Sequence, residues 1–274
     1  TRFCWKNTAL ALATLATLGF ASPSALAHRT WILPDVTVVE GQDPSVTIDA
    51  AVSEDLFEFD TTALQIDTLR ITAPDGRVLA PESRHQSRRR TSFEVKLPQA
   101  GTYRIAGTAE TAMASWKVGG ETKRWRGKVD EIEKEVPKDA ADVQITRSFS
   151  RVETFVAQGE PGTTVPAPQG VGLELLPLTQ PVDLNTGDVS KFRLLLDGQP
   201  AAHVDVTLVR AGNRYRYKMG DVSFKTDAKG EFSITWTEAG RYWLGASVGG
   251  RGPAPVGQPP RRASSSATLD VLPQ

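Results

Sequence analysis

The sequence predicts an all-β protein made of two tandem β-sandwiches of the immunoglobulin-like or transthyretin-like type. Short runs in which apolar and polar residues alternate recur along the chain, and turn signals separate them. The 18 prolines and 23 glycines suit many short strands joined by tight turns better than long helices. A segment of the first half also recurs in the second half, which predicts two copies of a similar β unit.

The internal repeat aligns Phe93–Tyr103 without gaps on Phe232–Tyr242. Each copy has an alternating strand, then an Ala-Gly turn, then a strand that a tyrosine opens. A sheet with one apolar face must bury that face against another layer, so each copy predicts one sandwich.

The chain divides at a segment rich in glycine and proline, residues 158–172, which we interpret as a linker. It separates an N-terminal β-sandwich domain, 28–157, from a C-terminal β-sandwich domain, 173–274. In the N-terminal domain the steps between Val129, Ile132 and Val136 predict one short helix, which Pro137 ends. The remaining predicted strands cover 35–39, 45–52, 64–73, 92–97, 103–108 and 144–156, then 191–196, 203–210, 221–226, 231–236, 242–248 and 267–272.

The first 27 residues predict a signal peptide. Arg2 and Lys6 precede an apolar run, 8–20, that is shorter than the roughly 20 residues needed to span a bilayer. The pattern Ala25-x-Ala27 marks a cleavage site, so we expect His28 to become the first residue of a periplasmic protein without a membrane span. The alternative is an uncleaved membrane anchor.

Composition narrows the classes of function. Lys plus Arg and Asp plus Glu both number 32, so there is no overall charge to attract nucleic acid. The single cysteine, Cys4, would leave with the signal peptide, which excludes disulfides and thiol chemistry in the processed chain.

The string Gly245-Ala-Ser247-Val-Gly249 lacks the following helix and later histidine that a serine hydrolase needs. We therefore expect no enzymatic activity.

Two charged runs have simple structural interpretations. The basic run 84–90 is typical of a solvated hairpin loop. The acidic run 54–60 lacks the spacing of a calcium loop, and its Phe57 and Phe59 are expected to be core residues with the acids facing water.

His28 is the candidate metal ligand, because processing would give it both an α-amine and an imidazole. Together these groups can chelate one metal ion, and copper(II) and nickel(II) favour such nitrogen sets. A third nitrogen would have to come from His85 or His203, the only other histidines. The alternative is that cleavage falls before a histidine by coincidence.

Several runs resemble a family of periplasmic proteins of unknown function that are often labelled NikM-like nickel-transport components. The runs are 27–34 (AHRTWILP), 49–59, 123–127, 150–155, 172–177, 194–200 and 242–243. The resemblance implies an exported β-sandwich protein with a carboxypeptidase-regulatory-like domain, associated with nickel or cobalt uptake. Relatives are expected to carry a histidine where this chain has Gln180, so a ligand of a fuller metal site is absent here if that histidine binds metal.

These observations lead to one hypothesis and two alternatives. The hypothesis is a periplasmic accessory protein that binds nickel, cobalt or copper and serves an envelope or metal-uptake transporter component. The first alternative is an interaction module without metal, in which the loops of immunoglobulin-like domains contact an envelope partner. The second, which the small number of histidines disfavours, is a copper-dependent oxidative enzyme built on His28.

Overall fold

The computed structural model describes residues 28–66, 68–216, 220–249 and 261–274. The predicted signal peptide, its cleavage site and Cys4 lie outside these residues. Within them the protein is an all-β sandwich fold, as predicted, and its one α-helix is short. The range predicted to be helical contains a 3₁₀ turn, Val129–Glu131, followed by this helix, α1, Ile132–Glu135.

The strands of the first half include two of 18 residues each, β9 and β11. The strands, in chain order, are β1 Arg29–Pro34, β2 Val38–Val39, β3 Ser45–Ser53, β4 Thr62–Ala63, β5 Thr68–Thr72, β6 Val78–Leu79, β7 Glu82–Gln86, β8 Thr91–Lys96, β9 Gly101–Val118, β10 Glu121–Gly127 and β11 Ala141–Gln158.

The second half carries the remaining strands and a 3₁₀ turn, Asn213–Tyr215. The strands are β12 Leu173–Pro177, β13 Leu184–Asn185, β14 Val189–Leu196, β15 Gln199–Pro200, β16 Asp205–Arg210, β17 Val222–Lys225, β18 Glu231–Thr235, β19 Gly240–Val248 and β20 Arg261–Leu272.

One sheet runs through both halves of the chain. It has 11 strands, with the main order β17-β16-β19-β20-β11-β9-β5-β6. The two halves join where β20 pairs in parallel with β11, from Arg147↔Arg261 to Thr154↔Thr268. A five-stranded sheet, β1-β3-β8-β7 with β4, and a four-stranded sheet, β12-β14-β15 with β18, complete the described fold. Strands from both halves thus belong to one sheet. The division of the chain into two domains stays a prediction.

Each smaller sheet has its own apolar core against the large sheet. One core combines residues of β3 and β8, such as Ile48 and Phe93, with Ile105 of β9. The other combines Phe192 of β14 with residues of β16, β19 and β20. Alternate residues of a strand face opposite sides, so β1 contributes Ile32 to the first core and Trp31 to a third cluster.

The internal repeat is a pair of equivalent corners between sheets. β8 and β18 lie in the two smaller sheets, and the strands that follow them, β9 and β19, lie in the large sheet. The Tyr103 hydroxyl donates to the Gln99 carbonyl at 2.7 Å, and the Tyr242 hydroxyl donates to the Glu238 carbonyl at 2.7 Å. A tyrosine that bonds back to the backbone in this way fixes the corner of a β-sandwich.

Candidate functional site

His28 lies immediately before β1 and faces the loop that follows β3. Its Nε2 is 3.5 Å from Oε1 of Glu54, and 46% of the His28 side chain and 60% of the Glu54 side chain are exposed. Strand pairing places His28 beside Glu54, because the adjacent residues Arg29 of β1 and Ser53 of β3 lie opposite each other. An imidazole nitrogen and a carboxylate oxygen thus meet at the surface.

His85 is remote from His28. It lies on β7, and β1 and β7 form opposite edges of the path β1-β3-β8-β7. Through Ser92 and Asp49 the register sets His85 level with Leu33, five residues beyond His28. With about 4.8 Å between strands and about 3.4 Å per residue, the two Cα atoms are about 20 Å apart. His85 and His28 cannot bind one metal ion in this arrangement.

His203 occupies the turn between β15 and β16. Its backbone is left-handed, with φ of 59°, and its N–H donates to the Thr226 carbonyl at 3.1 Å. Among the described residues, no group of three or more His, Cys, Asp or Glu side chains is arranged to hold a metal ion. The structure therefore brings Glu54, and neither His85 nor His203, beside His28.

The loop that carries Glu54 is fixed by hydrogen bonds to its own backbone. The Asp60 carboxylate accepts from the N–H of Glu54 at 3.1 Å and of Asp55 at 2.8 Å. Partial burial alone would raise the pKa of Asp60, but these bonds and one from the Thr61 hydroxyl outweigh it and lower the pKa. The Asn213 side chain of the second half accepts from the N–H of Leu56 at 2.9 Å. Asp60 thus holds the Glu54 backbone from inside the loop, and Asn213 holds the neighbouring Leu56 from outside it.

Aromatic residues support the other side of the loop. Phe57 and Phe59 pack on Trp31, with ring centroids 5.5 Å and 5.4 Å apart. Trp31 is fully buried, and its Nε1 donates to the Ser53 hydroxyl at 2.8 Å. The two phenylalanines thus pack against a core cluster, but they are half-buried and not the fully buried core residues that the sequence predicted.

The second half of the chain anchors the residues next to His28. Nε1 of Trp243, on β19, donates to the Thr30 carbonyl at 2.9 Å, and the Ser266 hydroxyl of β20 donates to the same carbonyl at 3.0 Å. The Arg29 guanidinium lies over the Trp243 ring, 5.4 Å from its centroid. Burial lowers the pKa of Arg29, and the nearby Asp221 carboxylate opposes that shift.

The carboxylates of the loop differ in their surroundings. Arg214 lies 3.9 Å from an oxygen of Asp55 and 3.8 Å from an oxygen of Glu58. Glu54 faces His28 instead. Sequence reasoning treated all these acids as a solvated face and missed Glu54 as a neighbour of His28, although the acidic run itself was visible.

Gln180 lies at the linker, where it is a structural residue. Its Nε2 donates to the Gly162 carbonyl at 2.8 Å, and its Oε1 accepts from the Thr102 hydroxyl at 3.1 Å. It borders a cleft of about 530 Å³ that Asp183 and Asp188 also line. In this chain Gln180 therefore ties the linker to β9.

A second polar constellation, which the sequence analysis missed, is buried where the linker meets the large sheet. Nε and one Nη of Arg104 donate to Oε2 of Glu153 at 2.8 Å and 2.6 Å. Arg151 lies 3.2 Å from Glu174, and all four side chains are at most 2% exposed. The two arginines and two glutamates balance in charge. We call this set the buried ion network.

The buried ion network also holds the backbone of the linker and of β12. Glu174 accepts from the N–H of Gln169 at 2.8 Å and of Gly170 at 2.6 Å, and Glu153 accepts from the N–H of Leu175 at 3.2 Å. Burial lowers the pKa of Arg151, and both carboxylates oppose that shift. Arg104 Nη1 and Arg151 Nε and Nη1 are buried without a hydrogen-bond partner among the described residues. Each charged group nevertheless pairs with an opposite charge, and the carboxylates hold the backbone of the linker and β12, so the network is structural.

No helix among the described residues is both long enough and apolar enough to cross a membrane.

Comparison with solved structures yields weak matches. E. coli α2-macroglobulin activated by trypsin is 14% identical, with a TM-score of 0.22, and the match covers 88% of this chain and 16% of that one. A DUF4785 family protein from Legionella pneumophila is 9% identical, with a TM-score of 0.24, covering 78% and 50%. The D0-D1 domain of intimin is 11% identical, with a TM-score of 0.21, covering 87% and 97%. We draw no conclusion about this protein from matches with such low TM-scores.

No curated protein matches the chain. A family model does match: the domain of unknown function DUF4198 covers residues 25–250, which include His28, the Glu54 loop and the buried ion network. The chain belongs to the DUF4198 family.

Proposed function

We propose that this protein is a periplasmic accessory protein that binds a divalent transition metal, nickel, cobalt or copper, at His28 and Glu54, and that it serves the uptake of that metal. The single observation that carries the proposal is the contact between His28 and Glu54 at the surface. The resemblance to NikM-like components supports the role in uptake.

The ligand set follows from the residues present. The His28 imidazole supplies one nitrogen, Nδ1, which closes a chelate ring with the α-amine that cleavage after Ala27 would supply. The Glu54 carboxylate lies beside Nε2 of the same ring, and it supplies an oxygen once its exposed side chain turns to the Nδ1 side. A set of two nitrogens and one oxygen leaves coordination positions open, which suits a protein that accepts a metal ion and passes it on. Copper(II) should bind most tightly, because nitrogen and oxygen sites follow the Irving–Williams order.

The surroundings fix the backbone that carries the two side chains. The β1–β3 pairing and the Trp243 hydrogen bond fix the backbone beside His28, and Asp60 fixes the backbone of Glu54. Both side chains are exposed, so binding requires no opening of the fold. Because the pair is exposed, little interaction free energy is lost when the carboxylate leaves the imidazole to bind a metal ion.

The test compares two forms of the protein that both start at His28, one with a free α-amine and one with an acetylated α-amine. Each is titrated with copper(II), nickel(II) and cobalt(II) against a chromophoric chelator. Acetylation converts the amine into an amide and leaves no other terminal amine, so we expect the affinity for copper to fall by about tenfold or more. Glu54→Gln should weaken binding by about tenfold while leaving the fold intact.

The matched controls are His85→Ala and His203→Ala, which should bind metal as the unchanged protein does. Equal affinity of the two forms, or loss of binding in either control, would contradict the proposed ligand set. Mass spectrometry of the exported protein checks the premise that His28 is its first residue. A lower cellular nickel, cobalt or copper content after deletion of the gene would support the role in uptake, and unchanged content would contradict it.

A further inference from the structure

Strands β9, β10 and β11 form an arm of the large sheet. β9 and β11 pair from Gly101↔Gln158 to Lys117↔Ala141, and β10 pairs with the distal end of β9 over all seven of its residues. β10 pairs with β9 alone among the described strands. Its outer edge therefore presents unpaired backbone N–H and C=O groups.

Basic residues follow this edge in the run Lys123–Lys128. Arg124 and Arg126 are exposed and point to one side of the sheet, while Trp125 between them is half-buried on the other. Neither arginine has an ion pair or side-chain hydrogen bond with the described part of the chain. Lys123, by contrast, contacts Glu121 at 2.7 Å.

The opposite side of the arm is covered in part. Ala114 and Trp116 are buried there, and Ile132 of α1 is buried as well. The Glu131 carboxylate accepts from the N–H of Lys128 at 3.1 Å, which fixes the turn that leaves β10. The outer edge of β10 and its arginine side are therefore the open surfaces.

We propose that β10 binds an extended acidic segment of a partner protein by strand addition. An open edge pairs with an incoming strand through backbone hydrogen bonds. The guanidinium groups of Arg124 and Arg126 are suited to bidentate contacts with carboxylates at alternate positions of that strand. Pairing of β10 with β10 of a second copy would set arginines beside arginines, which is unfavourable.

The alternative role of the two arginines is to prevent edge-to-edge pairing with other chains, because exposed charges have this effect at many sheet edges. The experiment must therefore separate strand pairing from plain attraction of charge. The probe is a fluorescein-labelled 12-residue peptide of alternating glutamate and valine, and its binding to the full processed chain is followed by fluorescence anisotropy. A second peptide carries N-methyl groups at alternate residues, which removes backbone donors along one edge.

We expect Arg124→Glu with Arg126→Glu to weaken peptide binding by about tenfold or more, because two attractive contacts become repulsive. The matched control is Arg88→Glu with Arg89→Glu, the same change on the exposed loop between β7 and β8, which should bind as the unchanged protein does. Thermal unfolding verifies that both variants are folded. The N-methylated peptide should bind at least about tenfold more weakly than the unmodified one.

Four results would overturn the proposal. The first is no detectable binding of the acidic peptide to the unchanged protein. The second is equal binding of the N-methylated peptide. The third is full competition by polyphosphate at the same charge concentration, which would make the edge a general anion surface. The fourth is an equal loss of binding in the variant with Arg88→Glu and Arg89→Glu.

Discussion

The buried ion network and the His28–Glu54 pair both place a glutamate carboxylate beside a nitrogen-bearing side chain, but in opposite surroundings. In the network every side chain is at most 2% exposed, and the carboxylates also accept backbone N–H groups of the linker and β12. At the surface Glu54 has His28 as its neighbour, and about half of each side chain meets solvent. Removing a partner from buried charges is costly, whereas exposed charges exchange partners freely. The first region is therefore structural, and the second is available to a ligand.

The largest expected effect is that of Glu153→Gln in the buried ion network. The change leaves the buried guanidinium groups of Arg104 and Arg151 with Glu174 as their one remaining carboxylate, so we expect the free energy of unfolding to fall by about 3–5 kcal/mol. Urea denaturation followed by circular dichroism measures this loss. The same chemical change at the surface, Glu54→Gln, should alter the free energy of unfolding by less than about 0.5 kcal/mol. Similar losses in the two variants would remove the distinction between the regions.

An intermediate effect is expected for Glu231→Gln. Glu231 pairs with Arg193 across β14 and β18, and the two side chains are 32% and 33% exposed. Solvent screens this pair in part, so we expect a loss of about 1 kcal/mol in the free energy of unfolding. The same urea experiment places this variant between the other two. A loss as large as that of Glu153→Gln would show that burial does not determine the ranking.

A further small effect is the pH dependence of the stability that Asp60 contributes. Its pKa is lower in the folded protein, so ionised Asp60 adds stability above the unfolded pKa of about 3.9, and this is lost as the pH falls through the folded pKa. Asp60→Asn should lower the free energy of unfolding by less than about 1 kcal/mol at pH 7, and the difference from the unchanged protein should shrink towards pH 2–3. A difference that persists in acid would indicate that the ionised form is unimportant.

The fold was largely predictable from local patterns. The range 45–52 became β3, 92–97 became β8, and the repeat became two equivalent tyrosine corners. The distal half of β9 and all of β10 were missed. Ala109–Val118 is rich in alanine, which has a low strand propensity, and pairing with β10 and β11 makes it a strand nevertheless.

The candidate site was predictable only in part. His28 was identified because the expected cleavage gives it a free amine, and the acidic run was recognised without its partner. That Glu54 meets His28 depends on the β1–β3 register, which joins positions 26 residues apart. The buried ion network could not be predicted, because Arg151 and Glu153 in a strand look like ordinary solvated charges.

The sequence by itself determined the all-β class, the repeated strand–turn–strand segment and a histidine at a predicted processing site. These depend on alternation, turn residues and local spacing, which act over a few residues. Only the tertiary structure decided which charges are buried, which carboxylate faces His28 and that β20 joins both halves through β11. Strand pairing brings together residues far apart in the chain, and the environment of a charge depends on everything packed around it.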